Sequence, residues 1–368
     1  MGKGKKMELL CLGDIALADE KLRKVRWPYP AGQQSSETRV LLNWELPAAQ
    51  RRNPHPRTSG DRLIAFPDAP VLLKSWAPGF ASLATNHILD GGIEGLAQTL
   101  DQLKQAGFLT VGAGLTQEEI TAPLVWETSE GRLTILNWVF AETNPDWKAI
   151  PGPNCWPGVN EAKQTIQALK QQTDWLLTLV HWSDEAFSYP RPEDRAIARE
   201  LLQAGADLVV GHHPHVVRGM ELVGESPVYY SIGNFFFSKI PAEQSSEPDG
   251  FAPRNREALG VRITFQRGKK PLCQPLSFFQ IGNATHADPF HLAERRMNRV
   301  SRPLLLKTAG EYPCWYSAQR LQFNKIGYRL FFRIWQYRPK NWLDFFSRFI
   351  RSRYQRLHQA SSHAGNQD

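Results

Sequence analysis

A chain of 368 residues, 42% hydrophobic and 22% charged, has room for one large core or two moderate ones, with the balance of an ordinary globular protein. Its four cysteines, Cys11, Cys155, Cys273 and Cys314, form no C-x-x-C pair, which excludes a zinc ribbon or a disulfide framework and points to reduced thiols in the cytoplasm. The net charge of +8 is concentrated: from His286 onward there are 15 Lys/Arg against 5 Asp/Glu, so the basic character belongs to the C-terminal stretch, and no nucleic-acid partner is expected.

The N-terminus is basic through Met7, but only residues 9–12 are apolar before Gly13-Asp14. That run is too short for the core of a signal peptide and predicts a first strand. No run of about 18 apolar residues occurs, so no membrane span is expected. Further short apolar runs follow and end in polar residues. Residues 40–42 lead to Asn43-Trp44-Glu45, 80–84 to Thr85-Asn86-His87 and 133–136 to Asn137-Trp138. Residues 175–180 lead to His181-Trp182, and 228–232 to Gly233-Asn234. Helical spacing lies between several of these runs. Ile93, Leu96, Leu100 and Leu103 predict one helix, closed by Gly107. Residues 161–172 predict a second. Pro192, Ile197, Leu201, Leu202 and Gly205 predict a third. Alternating strands and helices argue for an α/β layered core. Residues 261–265 and 276–281 have no helix between them and predict antiparallel strands closing a sheet. Residues 27–38, 47–62 and 239–257 are rich in Pro and polar residues and read as surface loops.

The densest chemistry is at Gly211-His212-His213-Pro214-His215, where three histidines fall within four positions after an apolar run. In α/β sheets, ligands collect outside the carboxyl ends of the strands. Those ends supply Asp14, Glu45, Asn86, His87, His181, His213 and His215. Carboxylate, imidazole and amide oxygen together suit a divalent ion such as Mn, Fe or Zn. A pair of such ions can polarise a phosphoryl or carbonyl oxygen and generate hydroxide near neutral pH.

Several short motifs occur in a fixed order along residues 9–238. They are Gly13-Asp14, Asn43-Trp44-Glu45, Asn86-His87 with Asp90, Gly95-Leu96, Gly112-Ala113-Gly114, and His181-Trp182 with Glu185. Gly205-Ala206-Asp207, Gly211-x-His213-Pro-His215-Val216 and Tyr230-Ser-Ile-Gly-Asn234-Phe complete the set. This order resembles the bacterial capsule-synthesis CapA (poly-γ-glutamate synthesis) family, within the calcineurin-like metallophosphoesterases. The resemblance implies a layered β-sandwich core flanked by helices, with one or two divalent metal ions. Asp14, Glu45, Asn86, His181, His213 and His215 would be ligands, with Glu45 as the bridging carboxylate. His87 would be a general acid oriented by Asp90. It also implies a metal-dependent hydrolase, acting on a phosphoester or other anionic substrate through metal-bound hydroxide. Amide hydrolysis or transfer on a γ-glutamyl polymer, and a non-catalytic accessory role in a polymer synthase complex, stay open beside it. Two positions depart from the family pattern: Thr85 stands where an Asn is usual and Ser183 where a Gly is usual. Ile15-Ala16 follow Asp14 without the histidine of the Asp-x-His pair of ordinary metallophosphoesterases, which CapA-like sequences also lack, leaving one metal position short of an imidazole.

Asn43, Glu185, Ser231 and Asn234 are candidates for contacting substrate; for Ser231 and Asn234 a plain turn motif is an equal alternative. His212 is left outside the ligand set and read as an exposed loop side chain. Arg51, Arg52, Arg57 and Arg62 read as a solvated basic loop, with anion recognition as the alternative. The expected domains are a catalytic unit over 7–285, a basic aromatic helical extension over 286–357 and a disordered end over 358–368. In the extension, Phe323, Ile326, Leu330, Ile334 and Tyr337 keep helical spacing beside Lys325, Arg329 and Arg333. A second apolar set, Trp342, Phe345, Phe346, Phe349 and Ile350, follows Pro339. Such helices either lie peripherally on an anionic membrane or dock on a protein partner or on their own domain.

Overall fold

The computed structural model describes residues 7–22, 37–50, 52, 61–146, 148–241 and 253–334. The chain divides into two compact units, Met1–Pro313 and Cys314–Asp368. The first begins with β1 (Met7–Ala16), β2 (Thr38–Trp44), a 3-10 turn (Ala69–Trp76), β3 (Gly79–Ser82), α1 (Gly92–Gln105) and β4 (Phe108–Val111). Then come β5 (Ala113–Gly114), α2 (Gln117–Thr121), β6 (Leu124–Thr128), β7 (Gly131–Val139), β8 (Gly152–Pro153), α3 (Val159–Lys170) and β9 (Trp175–His181). Next are α4 (Pro192–Gln203), β10 (Leu208–His212), β11 (Met220–Val223), β12 (Ser226–Tyr229) and β13 (Asn234–Phe237). The described chain closes with β14 (Glu257–Phe265), β15 (Leu272–Ile281), β16 (Ala284–Ala287), α5 (Leu292–Leu306) and α6 (Glu311–Ile334).

Two large sheets carry the fold. One runs β16-β15-β14-β1-β2-β3-β4, with β13 also paired to β1; the other runs β11-β12-β10-β9-β7-β6. Side chains alternate across a strand, and β1 uses both faces. Met7, Leu9 and Cys11 join Leu41 and Phe80 against Leu133, Ile135, Leu177, Leu179 and Val210 of the second sheet. Leu10 and Leu12 point the other way, into a second core with Val40, Leu42, Trp76, Leu96 and Leu103. That second core is where α1 and the 3-10 turn cover the first sheet. On the second sheet, α3 packs on β9 and α4 on β10, burying Ala162, Ile166, Ala198 and Leu201. The result is a two-sheet sandwich with helices on its outer faces, as expected from the α/β alternation. Strands covered on both faces read as continuous apolar runs rather than alternating ones, which is the pattern of residues 175–180 and 208–210.

The three predicted helices are α1, α3 and α4, and β14 and β15 pair antiparallel as expected. Other expectations need correction. Residues 47–49 are buried rather than in a surface loop: Ala48 bridges Ala65, and its N–H donates to Thr99 Oγ1 at 2.8 Å. The run 228–232 is not one strand; it breaks between β12 and β13, which lie in different sheets. Helix α5 packs on β15, β11 and β14 and buries Met297, Val300 and Leu304, so the first unit reaches past residue 285. The helical spacing from Phe323 falls within α6 as far as Ile334. The second apolar set from Trp342, the polar end 358–368, and Arg51 and Arg57 lie outside the described residues.

Candidate metal centre

Strand register assembles the site. Strands β1, β2 and β3 run parallel, with Asp14 opposite Asn43, and Asn43 opposite Ser82. Asp14 is also opposite Asn234 of β13. In the second sheet His212 of β10 lies opposite His181 of β9. Asp14, Asn43, Ser82, His181 and His212 stand at or near the carboxyl ends of their strands, and Asn234 opens β13. Two glycines allow the backbones to meet there. A Cβ on Gly13 would lie 1.9 Å from the Gly233 carbonyl oxygen, and one on Gly211 would lie 2.3 Å from that of Tyr230. Past Gly211 the turn is strained, with φ of 91° at His213 and 57° at His215. Non-glycine residues rarely hold such values, and they do so where surroundings over-determine a functional turn.

The side chains form one continuous network. Asn43 Nδ2 donates to Asp14 Oδ1 at 3.0 Å and to Glu45 Oε2 at 2.8 Å. Ser82 Oγ donates to Asn43 Oδ1 at 3.0 Å and fixes the amide's orientation. Thr85 Oγ1 donates to the Glu45 carbonyl at 3.0 Å, so the threonine at this position supports the carboxylate's backbone. His181 Nε2 lies 2.9 Å from Asn86 Oδ1 and 3.5 Å from Glu45 Oε1. The His181 and His213 rings are 4.8 Å apart, and those of His213 and His215 are 5.7 Å apart. His215 Nδ1 lies 3.0 Å from Asp14 Oδ2 and 2.9 Å from Asn234 Oδ1. Beside this network, His87 Nδ1 donates to Asp90 Oδ2 at 2.6 Å, and the Leu63 N–H donates to the same oxygen at 2.7 Å.

Burial and charge pull these groups apart. Burial raises the Glu45 carboxyl and the Asp14 charge raises it further, so it stands well above the ordinary carboxylate range. Burial acts on Asp14 in the same direction, but hydrogen bonds from His212 and His215 outweigh it and hold that carboxyl far below its usual value. His181 and His213 are pushed well down by burial, and neighbouring imidazoles add to this at His213. Burial would lower His215 as well, but the Asp14 carboxylate raises it to about 10.

The residues fit a divalent ion. Glu45 Oε1, His181 Nδ1 and His213 Nδ1 are buried without a hydrogen-bond partner. Glu45, His213 and His215 each offer a ligand atom, all within 4.8 Å of one another. Buried polar atoms without partners are costly, and a cation within the Glu45, His213 and His215 group would satisfy the Glu45 oxygen. The same cation would stabilise Glu45 in its ionised form.

The network gathers all six expected ligands, Asp14, Glu45, Asn86, His181, His213 and His215, together with Asn43 and Asn234. Glu185 is at the rim: its side chain is 61% exposed, with Oε1 4.0 Å from His213 Nε2. Ser231 is buried in the turn before Asn234, where its Oγ accepts from the Gly233 N–H at 3.3 Å. His212 corrects the sequence reading. It is 2% exposed, part of β10, and places Nδ1 3.1 Å from Asp14 Oδ1. The signal for it was present: the apolar run of β10 continues through Gly211 into His212 rather than stopping before it. Ser183 also finds its reason, for its φ is 74°, a backbone that favours glycine. Its hydroxyl donates to buried Asp194 at 2.6 Å and accepts from Arg218 Nη1 at 2.6 Å, which holds a serine there.

Residues 9–239 match the model of the family described as bacterial capsule synthesis protein PGA_cap. The chain belongs to that family. It is 28% identical over 205 residues to the PGA biosynthesis protein CapA of Bacillus subtilis, covering 54% of this chain and 53% of that one. It is 30% identical over 180 residues to a probable polyglutamine synthesis accessory protein of Mycobacterium tuberculosis, covering 46% and 47%. The chain thus spans about half the length of these curated relatives. Among solved structures, a putative 5'-nucleotidase from Staphylococcus aureus gives a TM-score of 0.44 at 10% identity, over 80% of this chain and 58% of that one. Among the described residues, no helix is long and apolar enough to cross a membrane.

Proposed function

We propose that this member of the capsule-synthesis family is a metal-dependent hydrolase acting on a phosphoester or related anionic group during polymer synthesis. The observation that carries the reading is the cluster of Glu45, His213 and His215, whose ligand atoms lie within 4.8 Å of one another, beside the His87–Asp90 pair. Asp14, Glu45, Asn86, His181, His213 and His215 would hold one or two divalent ions. When bound, such ions supply Lewis acidity toward a phosphoryl or carbonyl oxygen and lower the pKa of water. The protein's own part is orientation and proton transfer. Asn43 bridges Asp14 and Glu45 and keeps both carboxylates turned inward. Asp90 accepts the Nδ1 proton of His87, which directs Nε2 to protonate the leaving oxygen. Asn234 keeps a buried Nδ2 without a hydrogen-bond partner, a donor for an anionic substrate oxygen.

Elemental analysis of the purified chain, followed by turnover of a generic phosphodiester and of a γ-glutamyl peptide, tests this reading. His87→Ala should retain the ion and lose roughly 10²–10⁴-fold in rate. Loss of the ion at unchanged rate per bound ion would make His87 a ligand instead. An ion bound without turnover of either substrate would favour the accessory role that the mycobacterial relative's name carries. For the basic C-terminal stretch we propose peripheral contact with an anionic membrane or a synthase partner, supported by its excess of Lys/Arg. A chain ending at Arg320 should keep its ion and lose binding to anionic liposomes; aggregation of that truncation would make the stretch structural.

A further inference from the structure

We propose that His212 is a positioning residue of the metal centre: it locks the Asp14 carboxylate in the orientation that ion binding needs. The proposal rests on the reading of this site as a metal centre. His212 is the one imidazole of the Gly211–His215 turn that lies within a strand, and its ring is buried. Its Nδ1 is 3.1 Å from Asp14 Oδ1. Asn43 Nδ2 donates to that same oxygen at 3.0 Å. Oδ1 therefore takes donors from both sheets, Asn43 from β2 and His212 from β10. Oδ2 is left to face His215 Nδ1 at 3.0 Å. Rotation of the carboxylate would break both Oδ1 bonds at once.

The two residues after Asp14 offer no side-chain donor. Ile15 and Ala16, which follow Asp14 on β1, are buried in the apolar core between the first sheet and α1. A carboxylate oxygen accepts, so His212 Nδ1–H is the donor across the 3.1 Å contact. His212 is thus bound to the opposite sheet by a charge-assisted hydrogen bond, and the two sheets are tied together at the site. Its place opposite His181 in the parallel register puts both imidazoles on the same face of the second sheet.

Two substitutions separate this role from packing. His212→Leu keeps bulk and removes the donor; His212→Asn keeps an N–H close to the Nδ1 position. Mn²⁺ binding by calorimetry should weaken 10–100-fold in His212→Leu, and stay within about threefold of wild type in His212→Asn. Metal-free thermal melts should be alike for the wild type and the Asn variant. If His212→Leu does not fold, His212→Ala takes its place in the same comparison. Wild-type and Leu chains that bind Mn²⁺ equally overturn this proposal alone. An Asn variant as weak as Leu also overturns it, because the donor would then not be what matters. A wild-type chain that binds no Mn²⁺ overturns the metal reading and this proposal with it.

Discussion

Two clusters of buried charge differ in one respect. Around Glu221, every carboxylate oxygen is used. Oε2 accepts from Arg195 Nε at 2.9 Å and from the Tyr230 hydroxyl at 3.0 Å. Oε1 accepts from Arg195 Nη2 at 2.9 Å and from Arg199. Arg195 also donates to the Leu304 carbonyl at 3.0 Å and lies 4.2 Å over the Tyr312 ring. Burial would raise the Glu221 carboxyl, but the two arginines outweigh it and hold it below its ordinary value. Around Glu45 the opposite holds: Oε1 has no hydrogen-bond partner and the carboxyl is driven up. The Glu221 cluster ties α4, β11 and α5 together. In the Glu45 cluster, no hydrogen-bond donor among the described residues reaches Oε1. Burial of charge alone therefore does not mark a site; burial of charge without partners does.

The comparison breaks or holds on a pair of substitutions. Glu45→Gln should lower divalent-ion affinity about 100-fold or more, since a ligand loses its charge. Metal-free Glu45→Gln should melt at or above the wild-type temperature, because a poorly partnered buried carboxylate has gone and the Gln carbonyl can still accept from Asn43. Glu221→Gln should do the reverse. Breaking a buried, fully bonded ion pair costs about 3 kcal/mol, read by chemical denaturation, and ion affinity should be unchanged. If Glu45→Gln destabilises the metal-free chain as Glu221→Gln does, the Glu45 cluster is structural.

How much of this was legible follows from where each signal lies in the chain. His181, His213 and His215 stand just after apolar runs, and their strand ends could be read from residues alone. Asn86, His87 and Asp90 are close in sequence and read together. The Asn43 bridge between two carboxylates was visible only as a candidate contact, because its two partners depend on parallel register rather than on spacing. His212 was misread because turn composition hid that the strand runs one residue further. Residues 47–49 were misread for a related reason: Pro and Arg nearby signal a loop, while the burial of Ala48 and Ala49 depends on Gly91, Gly95 and Thr99, about fifty positions later. The Glu221 cluster was not legible at all. Arg195, Arg199 and Glu221 look like ordinary surface charges until α4, β11 and α5 pack together.

The smallest expected effect is the difference in pH dependence between the two clusters, and its sign follows from direction alone. Glu221 has a folded pKa below its unfolded value near 4.5. Its contribution is present above that value and is lost as pH falls through the folded pKa. Glu45 has a folded pKa above its unfolded value. In the metal-free chain its contribution is present below about 4.5 and is lost as pH rises through the folded pKa. His215, raised to about 10, has the same sign as Glu45, its contribution fading as pH rises through that value. His181 and His213 are depressed and act oppositely, favouring the folded state once pH exceeds about 6.5. The raw stability curve therefore mixes signs, and the curves to compare are wild type minus variant. For Glu45→Gln, metal-free, the wild type should lose ground to the variant as pH rises; for Glu221→Gln it should lose ground as pH falls into the acid range. A bound ion reverses the first case, since it holds Glu45 ionised and its binding releases protons. The rise in melting temperature on adding Mn²⁺ should then be larger near pH 8 than near pH 6. A rise independent of pH would mean that the ion sits away from Glu45 and His215.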